Sequence, residues 1–181
     1  KALNVDGAPA TVEAIKAGEY KVSRPFNIAT LGEVSEEAQD FVNFILSAEG
    51  QKVVEDNGYI AVVEDAQAYT GTAAGKVVVA GSSSVTPVME KLKEAYLVLN
   101  PQAEIEIQQS DSTTGMQSAI DGICDIGMAS RELKDSELEK GLTPTVIAMD
   151  GIAVIVHPGN PTEEMTGETI QKIFTGEILT W

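Results

Sequence analysis

Residues 76–92 read KVVVAGSSSVTPVMEKL, and this stretch decides the fold class. Positions 77–80 are an unbroken apolar run of the kind a strand buried on both faces carries. Gly81 and three serines punctuate it. Beyond them Val88, Leu92, Ala95, Tyr96 and Leu99 recur on one side at helical spacing, which predicts a helix over 84–99. A strand that runs through a Gly/Ser turn straight into a helix is half of a βαβ unit.

The same alternation continues downstream. Ile105 and Ile107 alternate with charged and polar residues as a half-exposed strand over 104–108. A helix over 113–121, a strand over 124–128 and a polar helix over 132–140 follow. Strands over 145–148 and 152–156 come next, then a helix over 166–174 ended by Gly176. Upstream, a strand-like piece over 1–5 ends at Asp6-Gly7, and Pro9 opens a helix with Val12, Ala14 and Ile15 inward. A strand over 26–30 follows Pro25. Ser35 caps a helix whose Phe41, Val42, Ile45 and Leu46 form one apolar face, and a shorter helix stops at Asn57-Gly58. Residues 61–75, rich in Ala, Thr, Gly and acidic residues, read as a connector. The expectation is an α/β fold, a mostly parallel sheet with helices on both faces.

Composition narrows the function. Of 181 residues, 43% are hydrophobic and 22% charged, which is globular usage and argues against disorder. The apolar runs are too short to cross a bilayer, so no membrane span is expected. Lys1 opens on no basic-apolar leader, so any targeting segment is expected outside this sequence. With 28 acidic against 12 basic residues the net charge is −16, and such a surface repels phosphate backbones, so no nucleic-acid partner is expected. One Cys and one His leave no disulfide, no thiolate metal cluster and few nucleophile–base pairs.

Three strand ends share one pattern. Ala80-Gly81-Ser82-Ser83-Ser84-Val85-Thr86-Pro87, Gln109-Ser110-Asp111-Ser112-Thr113-Thr114-Gly115 and Gly127-Met128-Ala129-Ser130-Arg131 each place Ser/Thr hydroxyls where a strand gives way to a helix. In a parallel sheet these ends lie along one edge, where ligands bind. Helix N-termini there aim unpaired N–H groups outward, which suits a small oxyanion, and Arg131 supplies the strong counter-charge. Any one cluster is an ordinary helix cap; three on successive units point to anion binding without naming the anion. Catalytic readings are weaker. Gly81-Ser82-Ser83-Ser84-Val85 lacks the second glycine of a nucleophile elbow, and neither a phosphate loop nor a dinucleotide fingerprint is present. His157 reads as a surface turn residue and Cys124 as an inert core thiol.

The motifs KVVVAGSSSVTPVMEKL, QQSDSTTGMQSAIDG, DIGMASREL and AMDGIAVIVHPGNP make residues 76–181 resemble the N-terminal half of the phosphate ABC-transporter substrate-binding proteins, with TIQKIFTGEILTW resembling the segment where that family leaves its first lobe. KALNVDG, SRPFNIATLGE and DFVNFILSAEGQKVVEDNGYI make residues 1–60 resemble that family's C-terminal part. The resemblance implies one lobe of a type II periplasmic-binding-protein fold, built from both segments across the 61–75 connector. It implies a non-enzymatic, extracytoplasmic or lipid-anchored receptor, with no cofactor, that captures inorganic phosphate for the membrane permease of an ABC transporter. Carried over residue by residue, it places phosphate contacts at Ser83, Ser84, Ser112 and Thr113. The alternatives are another tetrahedral oxyanion, or a structural or signalling lobe that binds nothing.

Two departures accompany the resemblance. The two segments stand in reversed order and the family's intervening second-lobe segment, with its Arg and Gly-Ser-Gly-Thr loop, is missing. An engineered permutation, a junction of tandem members and a partly represented sequence each fit that order. A branch of the family also carries, where Arg131 stands, a carboxylate that accepts the phosphate proton. Asp150 and Asp111 are the candidate replacements, Asp150-Gly151 reading equally as a plain turn.

Overall fold

Val77 and Val79 lie in one apolar core while Val78 and Ala80 border another, so the strand that carries them is covered on both faces. The structure is a computed structural model that describes residues 1–180; Trp181, the last residue of the closing motif, lies outside the described residues. In chain order the elements are β1 (Asn4–Val5), α1 (Val12–Lys16), β2 (Ser23–Leu31), α2 (Glu36–Ile45), α3 (Ala48–Asp56), β3 (Gly75–Ser82) and α4 (Thr86–Leu99). They continue with β4 (Ala103–Ser110), α5 (Ser112–Ile120), β5 (Ile126–Ala129), α6 (Asp135–Leu138), β6 (Leu142–Gly151), β7 (Glu164–Met165) and α7 (Gly167–Phe174).

The main sheet has the order β4-β3-β5-β2-β6. β3 runs parallel to β4 from Gly75↔Ala103 to Ser82↔Ser110, and parallel to β5 from Val79↔Ile126 to Gly81↔Met128. β2 runs antiparallel to β5, with Asn27 opposite Ala129. Three C-terminal strand ends therefore stand side by side, about 4.8 Å apart, as the sequence pattern requires. On one face Phe41 and Ile45 of α2, Val54 of α3, and Leu92 and Tyr96 of α4 are buried with Val77, Val79, Ile105 and Ile126. On the other, Met116 and Ala119 of α5 pack with Ala80 and Ala129.

Residues 61–74 form neither helix nor strand, yet they are strapped down. The Tyr69 N–H donates to Glu49 Oε2 at 2.8 Å, its hydroxyl donates to the Asp40 carboxylate, and Asn100 Nδ2 donates to that hydroxyl at 2.9 Å. Burial pushes the Tyr69 phenol up to about 12.

The chain divides into two compact units, Arg24–Met149 and a second made of Lys1–Ser23 with residues 150–180, boundaries that differ from the 1–60, 61–75 and 76–181 segments of the sequence pattern. In the second unit β1 pairs parallel with β7, Leu3 N–H donates to the Val154 carbonyl at 2.8 Å, and Val5, Ala8, Ala14 and Tyr20 form a small core.

The local pattern misplaces two elements. The strand expected over 145–148 runs through the Asp150-Gly151 pair as the longer β6, and 152–156 is left with an isolated bridge from Ile155 to Ala2. The polar helix expected over 132–140 shrinks to the four residues of α6, because 130–134 is spent on an anchored loop around Arg131. Cys124 is buried, and burial pushes its thiol up to about 11, as an inert core cysteine requires. His157 is exposed in a turn, its Nδ1 accepting from the Gly159 N–H at 3.1 Å.

Candidate functional site

Three glycines set the edge where β3, β4 and β5 end. A Cβ on Gly81 would lie 2.3 Å from the Met128 carbonyl oxygen, and one on Gly115 would lie 2.5 Å from the Gly81 Cα. One on Gly127 would lie 2.8 Å from the Gly115 carbonyl oxygen. Only hydrogen fits at these contacts, so α5 approaches the sheet backbone directly and its first turn reaches the ends of β3 and β5. Gly81 also holds a φ of +135°, which an L side chain rarely adopts.

The first cluster leads into α4. Ser83 N–H donates back to the Ser110 carbonyl at 2.9 Å, and Val85 N–H to the Ser82 carbonyl at 3.0 Å. The helix begins at Thr86, two residues later than its periodicity suggests, with Val85 at the cap position and no side-chain cap bond. Pro87 has no N–H to satisfy. The N–H groups of Ser84, Thr86 and Val88 have no hydrogen-bond partner among the described residues, nor do the hydroxyls of Ser83 and Ser84. Ser83 is exposed and Ser84 half-buried.

The second cluster is closed from within. Asp111 caps α5: its Oδ1 accepts from the Thr113 N–H at 2.8 Å and the Thr114 N–H at 3.0 Å, and its Oδ2 from the Thr114 hydroxyl at 2.6 Å. The Thr114 hydroxyl and then the Thr114 and Thr113 N–H groups hold this carboxyl below its ordinary value. Ser112 Oγ accepts from the Ser130 N–H at 3.1 Å, tying α5 to the end of β5. The Ser112 and Thr113 hydroxyl protons have no acceptor among the described residues, so each hydroxyl keeps a proton to donate.

The third cluster departs most from the sequence pattern. Arg131 is no free counter-charge. Its guanidinium grips Glu137 end-on, Nη1 to Oε2 at 2.9 Å and Nη2 to Oε1 at 2.8 Å. Nη1 also donates to the Glu132 carbonyl at 3.0 Å and Nη2 to Thr113 Oγ1 at 3.3 Å. The Glu137 side chain is 8% exposed and that of Arg131 29%. Each holds the other charged: Arg131 keeps the Glu137 carboxyl below its ordinary range, and Glu137 raises the Arg131 guanidinium further. The Arg131 carbonyl accepts from Asn27 Nδ2 at 3.0 Å. Asn27 is fully buried, and its Oδ1 has no hydrogen-bond partner among the described residues. An unsatisfied buried acceptor costs about 1–3 kcal/mol, a cost the fold carries next to the strand end it pins.

The edge thus gathers Ser83, Ser84, Ser112, Thr113 and Arg131 in the Arg24–Met149 unit. Asp150, half-buried near the end of β6, belongs to the other unit. Sequence reading missed Glu137, Asn27 and the glycine contacts. The glycines left a signal, Gly81, Gly115 and Gly127 standing one each in KVVVAGSSSVTPVMEKL, QQSDSTTGMQSAIDG and DIGMASREL; Glu137 left none, being six residues beyond Arg131 with no periodic relation to it.

Residues 66–181 match the PBP superfamily domain. The chain is 55% identical over 183 residues to "Phosphate-binding protein PstS 2" of Streptococcus agalactiae, an alignment that takes in 100% of this chain and 62% of that protein. A crystal structure of a phosphate ABC transporter, phosphate-binding protein from Streptococcus pneumoniae superposes with a TM-score of 0.94 at 41% identity, covering 100% of this chain and 70% of the other. An X-ray structure from Clostridium perfringens, described as a phosphate ABC transporter substrate-binding protein with bound phosphate, matches 59% of this chain and 44% of its own length at 45% identity, with a TM-score of 0.52. The chain therefore spans about 62% of the length of its S. agalactiae relative. That alignment carries 1–60 and 76–181 in the order found here, so the order is shared with a natural protein.

Proposed function

This chain belongs to the PBP superfamily and, within it, to the phosphate-binding proteins of ABC transporters, and from that premise we propose that it forms one wall of an inorganic-phosphate site at the C-terminal edge of β4, β3 and β5. The wall consists of the open first turn of α4 with the Ser83 and Ser84 hydroxyls, and of the outward Ser112 and Thr113 hydroxyls, with Arg131 behind them. Asp150 is left out of this wall. The whole protein is then an extracytoplasmic receptor that hands phosphate to a membrane permease and performs no chemistry on it.

One observation carries the reading: three N–H groups at the start of α4 lack partners beside hydroxyls whose protons have no internal acceptor. Donors so arranged suit a tetrahedral oxyanion, each bond to a charged ligand contributing roughly 1.5–3 kcal/mol. The net charge of −16 does not oppose this at close range, since exposed charges are screened beyond about 8–10 Å.

Calorimetric titration with phosphate, arsenate and sulfate tests the proposal. The expected result is saturable phosphate binding at least ~100-fold weaker than that of a full-length relative, because one wall forgoes two or more charge-assisted bonds. Sulfate should compete nearly as well, since a wall of donors does not read the anion's proton. Absence of saturable binding to any of the three anions would refute it.

A further inference from the structure

Arg131 carries the strongest positive charge at this edge, and the geometry shows it almost fully spent. A guanidinium has five N–H donors. Four are taken within the protein, two by the Glu137 carboxylate, one by the Glu132 carbonyl and one by Thr113 Oγ1. An anion that wanted a two-pronged grip from Arg131 would first have to displace Glu137, a buried carboxylate already in that geometry. Glu137 has a second anchor, since its Oε2 accepts from the Lys134 N–H at 2.8 Å. The Arg131 backbone is held as well, by buried Asn27.

The remaining use of the charge runs through Thr113. With Nη2 donating to Oγ1, the Thr113 hydroxyl has one lone pair engaged and its proton turned away from the guanidinium. A hydroxyl that accepts from a cation is also polarised into a better donor. We infer that Arg131 is a positioning residue for anion binding: locked by Glu137, it aims the Thr113 hydroxyl proton at the ligand edge rather than gripping the anion with its own fork. The inference rests on the phosphate reading above for its ligand, but not for its geometry. It also accounts for an arginine standing where a branch of the resembling family has a carboxylate, because the ligand does not meet its charge directly.

A double-mutant cycle read by phosphate calorimetry separates the two roles. Thr113→Val, which removes the hydroxyl at nearly constant shape, should weaken phosphate binding by about tenfold or more. Arg131→Lys, which keeps the charge and loses the fork, should weaken it comparably. The double variant should be no more than about twofold weaker than Thr113→Val alone, because Arg131 acts through the group already removed. Multiplying losses, on the order of 100-fold in the double variant, would mean that Arg131 touches the anion itself and would overturn the inference.

A second readout needs no ligand. Nitrogen-detected NMR of the Arg131 guanidinium in the free chain should show slowed rotation with separate Nη proton signals, which Glu137→Gln merges. A freely rotating guanidinium in the unsubstituted chain would overturn the inference even if phosphate binds. Failure of that chain to bind phosphate, with the guanidinium locked, would count against the phosphate reading and leave the Arg131–Thr113 geometry standing.

Discussion

α4 and α5 start at the same edge of one sheet, a strand spacing apart, and treat their first turns in opposite ways. α5 brings its own anion: Asp111 takes the N–H groups of Thr113 and Thr114 and the Thr114 hydroxyl. α4 brings none, having Val85 at its cap and the N–H groups of Ser84, Thr86 and Val88 without a hydrogen-bond partner among the described residues. Both first turns carry the same partial positive charge. Ser/Thr-rich helix starts are therefore not interchangeable. At α5 the carboxylate one residue ahead of the helix makes the turn a structural cap, whereas at α4 the apolar Val85 supplies no side-chain cap.

The largest effect is expected from breaking the shared edge. Gly115→Ala would drive a methyl group into the backbone of Gly81 and Ala80, which cannot yield as a flexible side chain does, and should cost on the order of 3 kcal/mol or more. Chemical denaturation should show it as a lowered midpoint, and an unchanged midpoint would mean that α5 does not need this close approach.

Next comes the lock behind the edge. Glu137→Gln leaves Arg131 without its partner and should cost about 2–3 kcal/mol at neutral pH, less than the ~3–5 of a fully buried pair because Arg131 is partly open to water. The folded Glu137 carboxyl is held below its ordinary value of 4.5, so its contribution is complete above that value and is lost as pH falls through the lowered one. The stability gap between the chain and this variant should accordingly close under acid. A gap independent of pH would show that the pair contributes through shape alone.

How far the edge could be read from sequence follows from the kind of signal each part leaves. The alternation of 77–80 with the helical period of Val88, Leu92 and Tyr96 predicts two-sided burial, and the helices do cover both faces. The three Ser/Thr clusters do end neighbouring strands. What the period cannot carry is pairing between residues of unrelated spacing. Arg131 reads as a free cation because Glu137 shares no heptad or strand register with it, and the loop they tie together reads as helix. Likewise Ser84 reads as the start of α4 because hydroxyls are good caps, whereas backbone bonds from Ser83 and Val85 back to Ser110 and Ser82 delay the helix to Thr86.

A smaller change would make the two helix starts alike. Ser84→Asp places a carboxylate beside the open turn of α4, where it should act as Asp111 does at α5 and compete with the ligand, lowering phosphate affinity by about tenfold. Calorimetry would register it, and undiminished binding would remove α4 from the site.

The smallest effect is the converse. Asp111→Ala uncaps α5, and hydrogen exchange at the Thr113 and Thr114 amides should quicken while the rest of α5 stays protected. The folded carboxyl lies below its ordinary value of 3.8, so the cap operates above that pH and fades as pH falls through the lowered value. Unaltered exchange at those two amides would mean that the Asp111 bonds contribute nothing in solution.

The contrast between an open and a self-capped helix start is tested most directly by amide NMR of the chain titrated with inorganic phosphate. Saturable shifts are expected to be largest at the Ser84 and Thr86 amides, with the Thr114 amide, held by Asp111, moving least. Shifts centred on Thr114, or none at Ser84 and Thr86, would contradict that contrast.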